Sequence, residues 1–458
     1  MNISTYPLSN HNFIVILPDI PRWFVIDRYA LDILESMTAL NSLEDIIAKH
    51  PPENSQEIEE TYNSLKEILD ASYSQIDVPM TTRALTDSAT VAMISVTDSC
   101  NLRCAHCYVD ANSKHTIELS VEQHTDVASQ IKKVLCTNNF TQYRVFLTGG
   151  EPFIRKDLLD IVRAYKSFDL GVGISTNSLL ITDLDIPIIK ELDIALSVSL
   201  DGATKERHEF IRGPGTFNAT IDRIKSLTSS GVKVGINTLV HEMNFSEFED
   251  ILELAYELGC KGVNPINLIQ LGRACNSQLR RVPEVEIFQR LANYINTHKE
   301  HISLFEKTTM FSSIGAALLG GISCQSCGVG NRPCVYIGTG GNIYPCANTQ
   351  RDEFCLGNIN EGSLKDFLRD DHPTLCMLRT LDVDKLNPKC STCDVRKFCG
   401  GDCRGETYNV TMDLKAPYVA CKDRHDSIVS MMEIVAKHPW MFENRANEYI
   451  TNADRVPQ

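Results

Sequence analysis

No stretch of this 458-residue chain approaches the roughly 18 consecutive apolar residues that a membrane-spanning helix needs, so a helical membrane protein is not expected. The opening residues hold no lysine-led signal sequence. Positive charge is scarce: 44 Lys and Arg stand against 59 Asp and Glu, a net charge of -15 that disfavours broad attraction to nucleic acid or anionic membrane. No unit of about 20 to 50 residues recurs apart from alternating strand and helix patterns, and no low-complexity tract interrupts the chain. What is plentiful is cysteine, 17 residues in all. With no sign of export or membrane insertion, a reducing cytoplasmic location is expected, where clustered cysteines bind metal or do redox chemistry rather than form disulfides.

Three of those cysteines sit in eight residues, Cys100-Asn-Leu-Arg-Cys104-Ala-His-Cys107, just after the apolar run 91–96. A four-iron cluster ordinarily takes four thiolates, so a compact set of three leaves one position for chemistry. Taken alone, the cysteines also suit a zinc knuckle that borrows a distant fourth ligand. With its Cys-x3-Cys-x2-Cys spacing, the strand before it and Tyr108 after it, the segment resembles the signature loop of the radical S-adenosylmethionine enzymes. The resemblance implies that Cys100, Cys104 and Cys107 hold a [4Fe-4S] cluster whose open iron chelates S-adenosylmethionine, and that one electron splits the sulfonium to a 5'-deoxyadenosyl radical.

Upstream, residues 1–75 read as a separate unit. Apolar runs at 13–17 and 23–26 flank a Pro18-Asp19-Ile20-Pro21 turn, as in a hairpin, and helical patterns follow at 27–37, 42–48 and 56–69. This winged-helix-like module, with Trp23-Phe24-Val25-Ile26-Asp27 leading into a helix, resembles the PqqD-like recognition element of peptide maturases. The resemblance implies that a leader peptide adds a strand to the hairpin edge, gaining affinity from backbone hydrogen bonds and selectivity from side-chain pockets. A packing domain that caps the barrel is the alternative. Residues 72–88 read as a linker.

From residue 89 to about 310 the pattern alternates between strands (91–96, 143–147, 171–175, 194–200, 232–240 and 262–269) and amphipathic helices, the signature of a parallel α/β sheet. Six repeats fit a partial (β/α)6 barrel, whose chemistry gathers at the C-terminal ends of its strands. Turn-forming residues lie at those ends: Gly149-Gly150-Glu151-Pro152, Ser175-Thr176-Asn177 and Ser199-Leu200-Asp201-Gly202. Following the cysteine loop, they look like the cofactor-contacting segments of the same family. The resemblance implies that Gly149, Gly150 and Glu151 meet the methionyl amino group, that Ser175, Asn177, Ser199 and Asp201 lie near the ribose, that Arg212 pairs with the methionyl carboxylate, and that His106 lies against adenine. Gln270-Leu271-Gly272-Arg273 closes over the adenine or is a plain loop.

Cysteines crowd residues 311–425. Cys327-x13-Gly341-x4-Cys346 precedes Cys390-x2-Cys393-x5-Cys399-x3-Cys403, with Cys421 after seventeen residues. This resembles the SPASM extension, which implies two auxiliary [4Fe-4S] clusters. One takes Cys327, Cys346 and Cys403 with Cys324, Cys334 or substrate as its fourth ligand, and the other takes Cys390, Cys393, Cys399 and Cys421. The remaining cysteines are expected to pack as small hydrophobes. Residues 426–458 read as a helical tail.

Three clusters, a radical-generating barrel and a leader-binding module imply a maturase that crosslinks a ribosomally made precursor peptide, most simply through a Cys thioether. A carbon-carbon crosslink, oxidative decarboxylation, formylglycine formation and a non-catalytic electron carrier are alternatives. Ala347 directly follows Cys346, where sulfatase-maturing enzymes usually have an aspartate. Flavodoxin or ferredoxin is the expected reductant.

Overall fold

The computed structural model describes residues 2–9, 11–39, 42–49, 51–74, 88–112, 116–136, 142–305, 309–329, 334–444 and 446. Most of the expected linker, residues 75–87, lies outside them.

The N-terminal module is an antiparallel sheet, β1 (Ser4–Pro7), β2 (Asn12–Leu17) and β3 (Arg22–Asp27), followed by α1 (Arg28–Thr38), α2 (Leu43–Ile47) and α3 (Ser55–Ser74). Ile14 pairs with Val25 and Ile16 with Trp23, as a hairpin requires. The extra strand β1 covers the outer side of β2, so β1 and β3 are the sheet's two edge strands, and β3 keeps an open edge on the hairpin's other side. Side-chain caps start the helices: Asp27 Oδ1 accepts from the Ala30 amide at 2.8 Å, and Ser42 forms a reciprocal box with Asp45. Successive β2 side chains point to opposite faces. Val15 and Leu17 join Leu31, Leu34, Ile46 and Ile58 in the module's own core, whereas Ile14 and Ile16 belong to the main core of the chain.

The main body runs β4 (Ser88–Thr97), α4 (Val121–Val134), β5 (Gln142–Gly149), α5 (Leu158–Lys166), β6 (Leu170–Thr176), α6 (Asp185–Glu191), β7 (Ala195–Ser199), α7 (Lys205–Arg212), α8 (Thr216–Ser229), β8 (Val234–Val240), α9 (Phe248–Glu257) and β9 (Val263–Asn267). All six expected strands are present and pair in parallel in chain order, giving the α/β partial barrel. Leu196 and Val198 of β7 are buried in the main core, while Ala195, Ser197 and Ser199 occupy the other face. Small and polar side chains on that face leave room inside the partial barrel.

The cysteine-rich region extends this sheet rather than standing apart. After α10 (Glu284–Thr297) and α11 (Met310–Leu319), strand β10 (Val335–Ile337) pairs in parallel with β4, and β11 (Asn342–Tyr344) and β12 (Gly357–Asn358) continue outward, making nine strands. A closing helix, Cys421–Lys437, packs along α10, with Arg424 Nη1 2.7 Å from Glu284 Oε2. The expected boundary between residues 425 and 426 falls inside that helix. Among the described residues, no helix is long and apolar enough to cross a membrane.

Candidate active site

The three clustered cysteines lie on the loop leaving β4, and the ends of the neighbouring strands grip that loop from every side. The Gly150 amide donates to the Thr97 carbonyl and the Glu151 amide to the Ser99 carbonyl, each at 2.8 Å. A Cβ on Gly150 would strike the Ser99 carbonyl, and Gly149, at φ +135°, lies equally close to the Thr97 carbonyl. Glycine at both positions is therefore what lets β5 approach the backbone just ahead of Cys100.

Asn112 closes the loop from its far end. Its Oδ1 accepts from the Cys100 amide at 2.8 Å and its Nδ2 donates to the Cys100 carbonyl at 2.9 Å, from a left-handed backbone at φ 71°. Arg273 holds the middle, donating to the Cys104 carbonyl through Nε at 3.0 Å and to Asp110 and the Ala111 carbonyl through Nη1. Gly272, in the left-handed region, sits against the carbonyls of Cys107 and Tyr108. The segment 270–273 thus grips the cysteine loop. Neither Asn112 nor this use of Arg273 follows from the cysteine spacing; an Asn suited to a left-handed turn shortly after the last cysteine is the one local signal for the former.

Donors surround the thiols. The Leu102 amide points at Cys100 Sγ and the Ala111 amide at Cys107 Sγ, both at 3.4 Å, and Arg212 Nη1 lies 3.9 Å from Cys104 Sγ. Burial pushes the Cys100 thiol up to about 11 and raises Cys104 as well, so the thiolates need a bound cation to compensate them. Nδ1 of His106 and Nε2 of nearby His241 are buried without a hydrogen-bond partner. Burial lowers His106 to about 4, leaving it neutral near pH 7. Three soft thiolates with amide donors and two waiting imidazole nitrogens fit an iron-sulfur cluster with a polar ligand beside it.

Glu151, which the family resemblance assigns to a methionyl amino group, is 1% exposed. Its carboxylate accepts from Thr176 Oγ1 and the Asn177 amide, both at 2.7 Å, and from the Phe153 amide at 3.1 Å. Burial raises this carboxyl group while those donors oppose the rise. Asn177 in turn bonds Asn101 on the cysteine loop at 2.7 Å. Asp201 is wholly buried, bonded to Arg212 Nε at 2.6 Å and to the Leu239 amide at 2.8 Å. Ser175 pairs with Ser197, and Ser199 with Asn237, on the face that lines the barrel interior.

In the cysteine-rich region, Cys346 lies beside Cys327, and Cys403 beside Cys346. Cys393 lies beside both Cys390 and Cys421. Cys399 neighbours Cys324, whose sulfur packs against Gly400. Burial holds Cys393 and Cys403 up at about 11 and Cys399 at about 12. A cavity of about 360 Å³ separates β9 and α10 from this region, with Ile266, Phe288 and Phe311 on one side and Asn348, Cys403 and Glu406 on the other.

A partial barrel that presents three soft ligands at the end of its first strand defines a cluster-bearing α/β enzyme. Residues 94–255 match the radical SAM superfamily and residues 327–394 the SPASM iron-sulfur cluster-binding domain. The chain belongs to the radical SAM superfamily and carries a SPASM domain. It is similar to an AdoMet-dependent heme synthase of Methanosarcina barkeri, at 27% identity over 72% of this chain and 95% of that protein. It is also similar to the mycofactocin maturase MftC of Mycobacterium tuberculosis, at 24% identity over 72% and 82%. Among solved structures, SuiB of Streptococcus suis bound to S-adenosylmethionine superposes with a TM-score of 0.60 at 17% identity, over 92% of this chain and all of that one. The anSMEcpe structure with AdoMet and a peptide gives a TM-score of 0.62 at 18% identity, over 78% of this chain and 99% of that one.

Proposed function

We propose that this enzyme is a maturase of a ribosomally synthesised precursor peptide and that it installs a crosslink, a thioether from Cys sulfur to carbon. The observation that carries the reading is the N-terminal module: a sheet with an open β3 edge, on the same chain as a radical SAM barrel. An open strand edge is a liability unless something pairs with it, and an extended leader is the ligand such an edge suits. A groove of about 430 Å³ runs beside Trp23, Phe24 and Val25 on that strand. The fold shared with SuiB, a protein also solved with its precursor peptide SuiA, extends over 92% of this chain.

When bound, a [4Fe-4S] cluster on Cys100, Cys104 and Cys107 together with S-adenosylmethionine supplies hydrogen-atom abstraction from unactivated carbon, which side chains cannot perform. The chain supplies position. Asn112, Arg273 and the Gly149–Gly150 corner fix the loop that presents the three thiolates. Arg212, anchored by Asp201, places positive charge beside Cys104. The cavity between Ile266 and Cys403 holds the reacting residue of the peptide away from bulk water. Two auxiliary clusters belong to the reading, one on Cys327, Cys346, Cys403 and Cys324, the other on Cys390, Cys393, Cys399 and Cys421, as does an external donor, flavodoxin or ferredoxin.

The test is incubation of the reduced, reconstituted enzyme with S-adenosylmethionine and a short Cys-containing peptide encoded beside its gene. Formation of 5'-deoxyadenosine with loss of two hydrogens per crosslink supports the reading. The similarity to AdoMet-dependent heme synthases favours a second reading, in which the substrate is a heme-type molecule and the module only packs. Turnover of such a molecule with the peptide left unchanged would select it.

A further inference from the structure

The polar contacts that seat the N-terminal module converge on one place. Tyr6 on β1 donates its hydroxyl to Asp394 Oδ2 at 2.5 Å and lies 3.1 Å from His425 Nε2, which is itself 2.9 Å from Asp394 Oδ1. The Ser4 side chain also bonds Asp394. In the turn between β2 and β3, Asp19 accepts from Arg396 Nη2 at 2.6 Å. Asp394 and Arg396 stand between Cys393 and Cys399, and His425 lies one turn past Cys421.

The rest of the module's grip on the body is mostly apolar. Ile14 and Ile16 enter the main core, Trp23 and Val25 pack against it, and the Trp23 indole donates to the Leu318 carbonyl at 3.0 Å. Apolar burial has no direction, so it holds the module down without setting its pose. Hydrogen bonds and ion pairs do have direction, and of the four residues they reach, Asp394 and Arg396 lie within residues 393–399 and His425 is bonded to Asp394. Within that segment the regular backbone is one turn at Arg396–Cys399; Arg396 also bonds Asp384 and the Cys393 carbonyl, and Lys397 bonds Asp384. Its two ends are tied at Cys393 and Cys399, so what those cysteines hold sets where the Asp394–Arg396 turn sits.

We propose that the second auxiliary site has a further function as a docking platform: a cluster on Cys390, Cys393, Cys399 and Cys421 fixes the Asp394–Arg396 turn on which Tyr6 and Asp19 seat the N-terminal module. The direction in which the open β3 edge presents an extended peptide to the barrel then depends on that site being loaded. The inference rests on the ligand set proposed above.

Hydrogen exchange on the reconstituted full-length protein, with iron counted in the same samples, tests this. Wild type carries about twelve irons and protects the amides of Ser4, Thr5 and Tyr6. Cys390→Ala lacks about four of those irons and exchanges those β1 amides about tenfold faster, with Tyr143–Leu147 unchanged. The double variant Tyr6→Phe/Asp19→Asn, which touches no cysteine, keeps its irons and shows the same faster exchange, and the paramagnetic signal of its second auxiliary cluster shifts. Unchanged exchange at Ser4, Thr5 and Tyr6 in the iron-depleted Cys390→Ala protein would overturn the docking role alone. So would unchanged exchange in the double variant. Wild type with about eight irons, or with a single zinc ion on Cys393, Asp394 and His425, whose ligand atoms lie within 4.8 Å of one another, would overturn the ligand set and the docking role together.

Discussion

Arg212 and Asp201 form a buried ion pair beside the cysteine loop, with Nε of the arginine 2.6 Å from Oδ2 of an aspartate that has no exposed surface. The pair spans the site: Asp201 is tied to β8 through the Leu239 amide, and Arg212 reaches toward Cys104. Removing one partner of such a pair strands the other charge, at a cost of about 3–5 kcal/mol. Asp201→Asn is therefore expected to lower the thermal midpoint and to accelerate loss of iron from the reconstituted protein, both read in one melting series with a chelator present.

Glycine at position 150 makes a sharper prediction, because the obstacle is backbone. Gly150→Ala drives a methyl group into the Ser99 carbonyl, whereas at Gly235 a Cβ meets nothing nearer than 3.5 Å. Gly150→Ala is expected to lose the cluster proposed on Cys100, Cys104 and Cys107, and Gly235→Ala to keep it. Iron content and the low-temperature paramagnetic spectrum of the two variants distinguish them.

His124 predicts a pH dependence away from all the cysteine sites. It is fully buried in α4 with Nδ1 2.9 Å from the Tyr165 hydroxyl, and burial lowers it to about 4. The unfolded chain binds a proton there near pH 6.5 and the folded chain does not. Its stabilising contribution is thus complete above about pH 6.5 and is lost progressively as the pH falls toward 4, by at most about 3 kcal/mol. Urea midpoints at pH 7.5 and pH 5 are expected to differ, and His124→Gln to narrow the difference.

Arg273 gives a fourth test. Arg273→Gln removes the donors to the Cys104 and Ala111 carbonyls and the ion pair with Asp110. Faster proteolysis within residues 100–112 of the iron-free protein is the expected result, with the cleavage pattern elsewhere unchanged.

Much of this architecture is legible in the sequence because the barrel strands are apolar runs closed by turn residues, and the caps Asp27 and Ser42 mark their helices locally. What escaped has a physical reason. Strands β10, β11 and β12 have only two or three residues each, too few to show a period. β1 is four residues ending in proline. α7 reads Lys-Glu-Arg-His-Glu-Phe-Ile-Arg, with only His208 and Ile211 buried. In the site, the family resemblance picks out Glu151, Asn177, Asp201 and Arg212, but most of their partners come from other elements. No local pattern announces that Glu151 spends its oxygens on Thr176, Asn177 and Phe153, or that Asp201 and Arg212 choose each other.

The central claim is that the radical chemistry of this barrel is directed at a peptide held by the N-terminal module. Mass spectrometry of any short Cys-containing peptide encoded beside the gene, after anaerobic incubation with reduced enzyme and S-adenosylmethionine, is the direct measurement. Loss of two hydrogens per crosslink is expected, with 5'-deoxyadenosine formed alongside, and loss of that processing when residues 1–71 are deleted. Full-length enzyme that forms 5'-deoxyadenosine but leaves the peptide mass unchanged would contradict it.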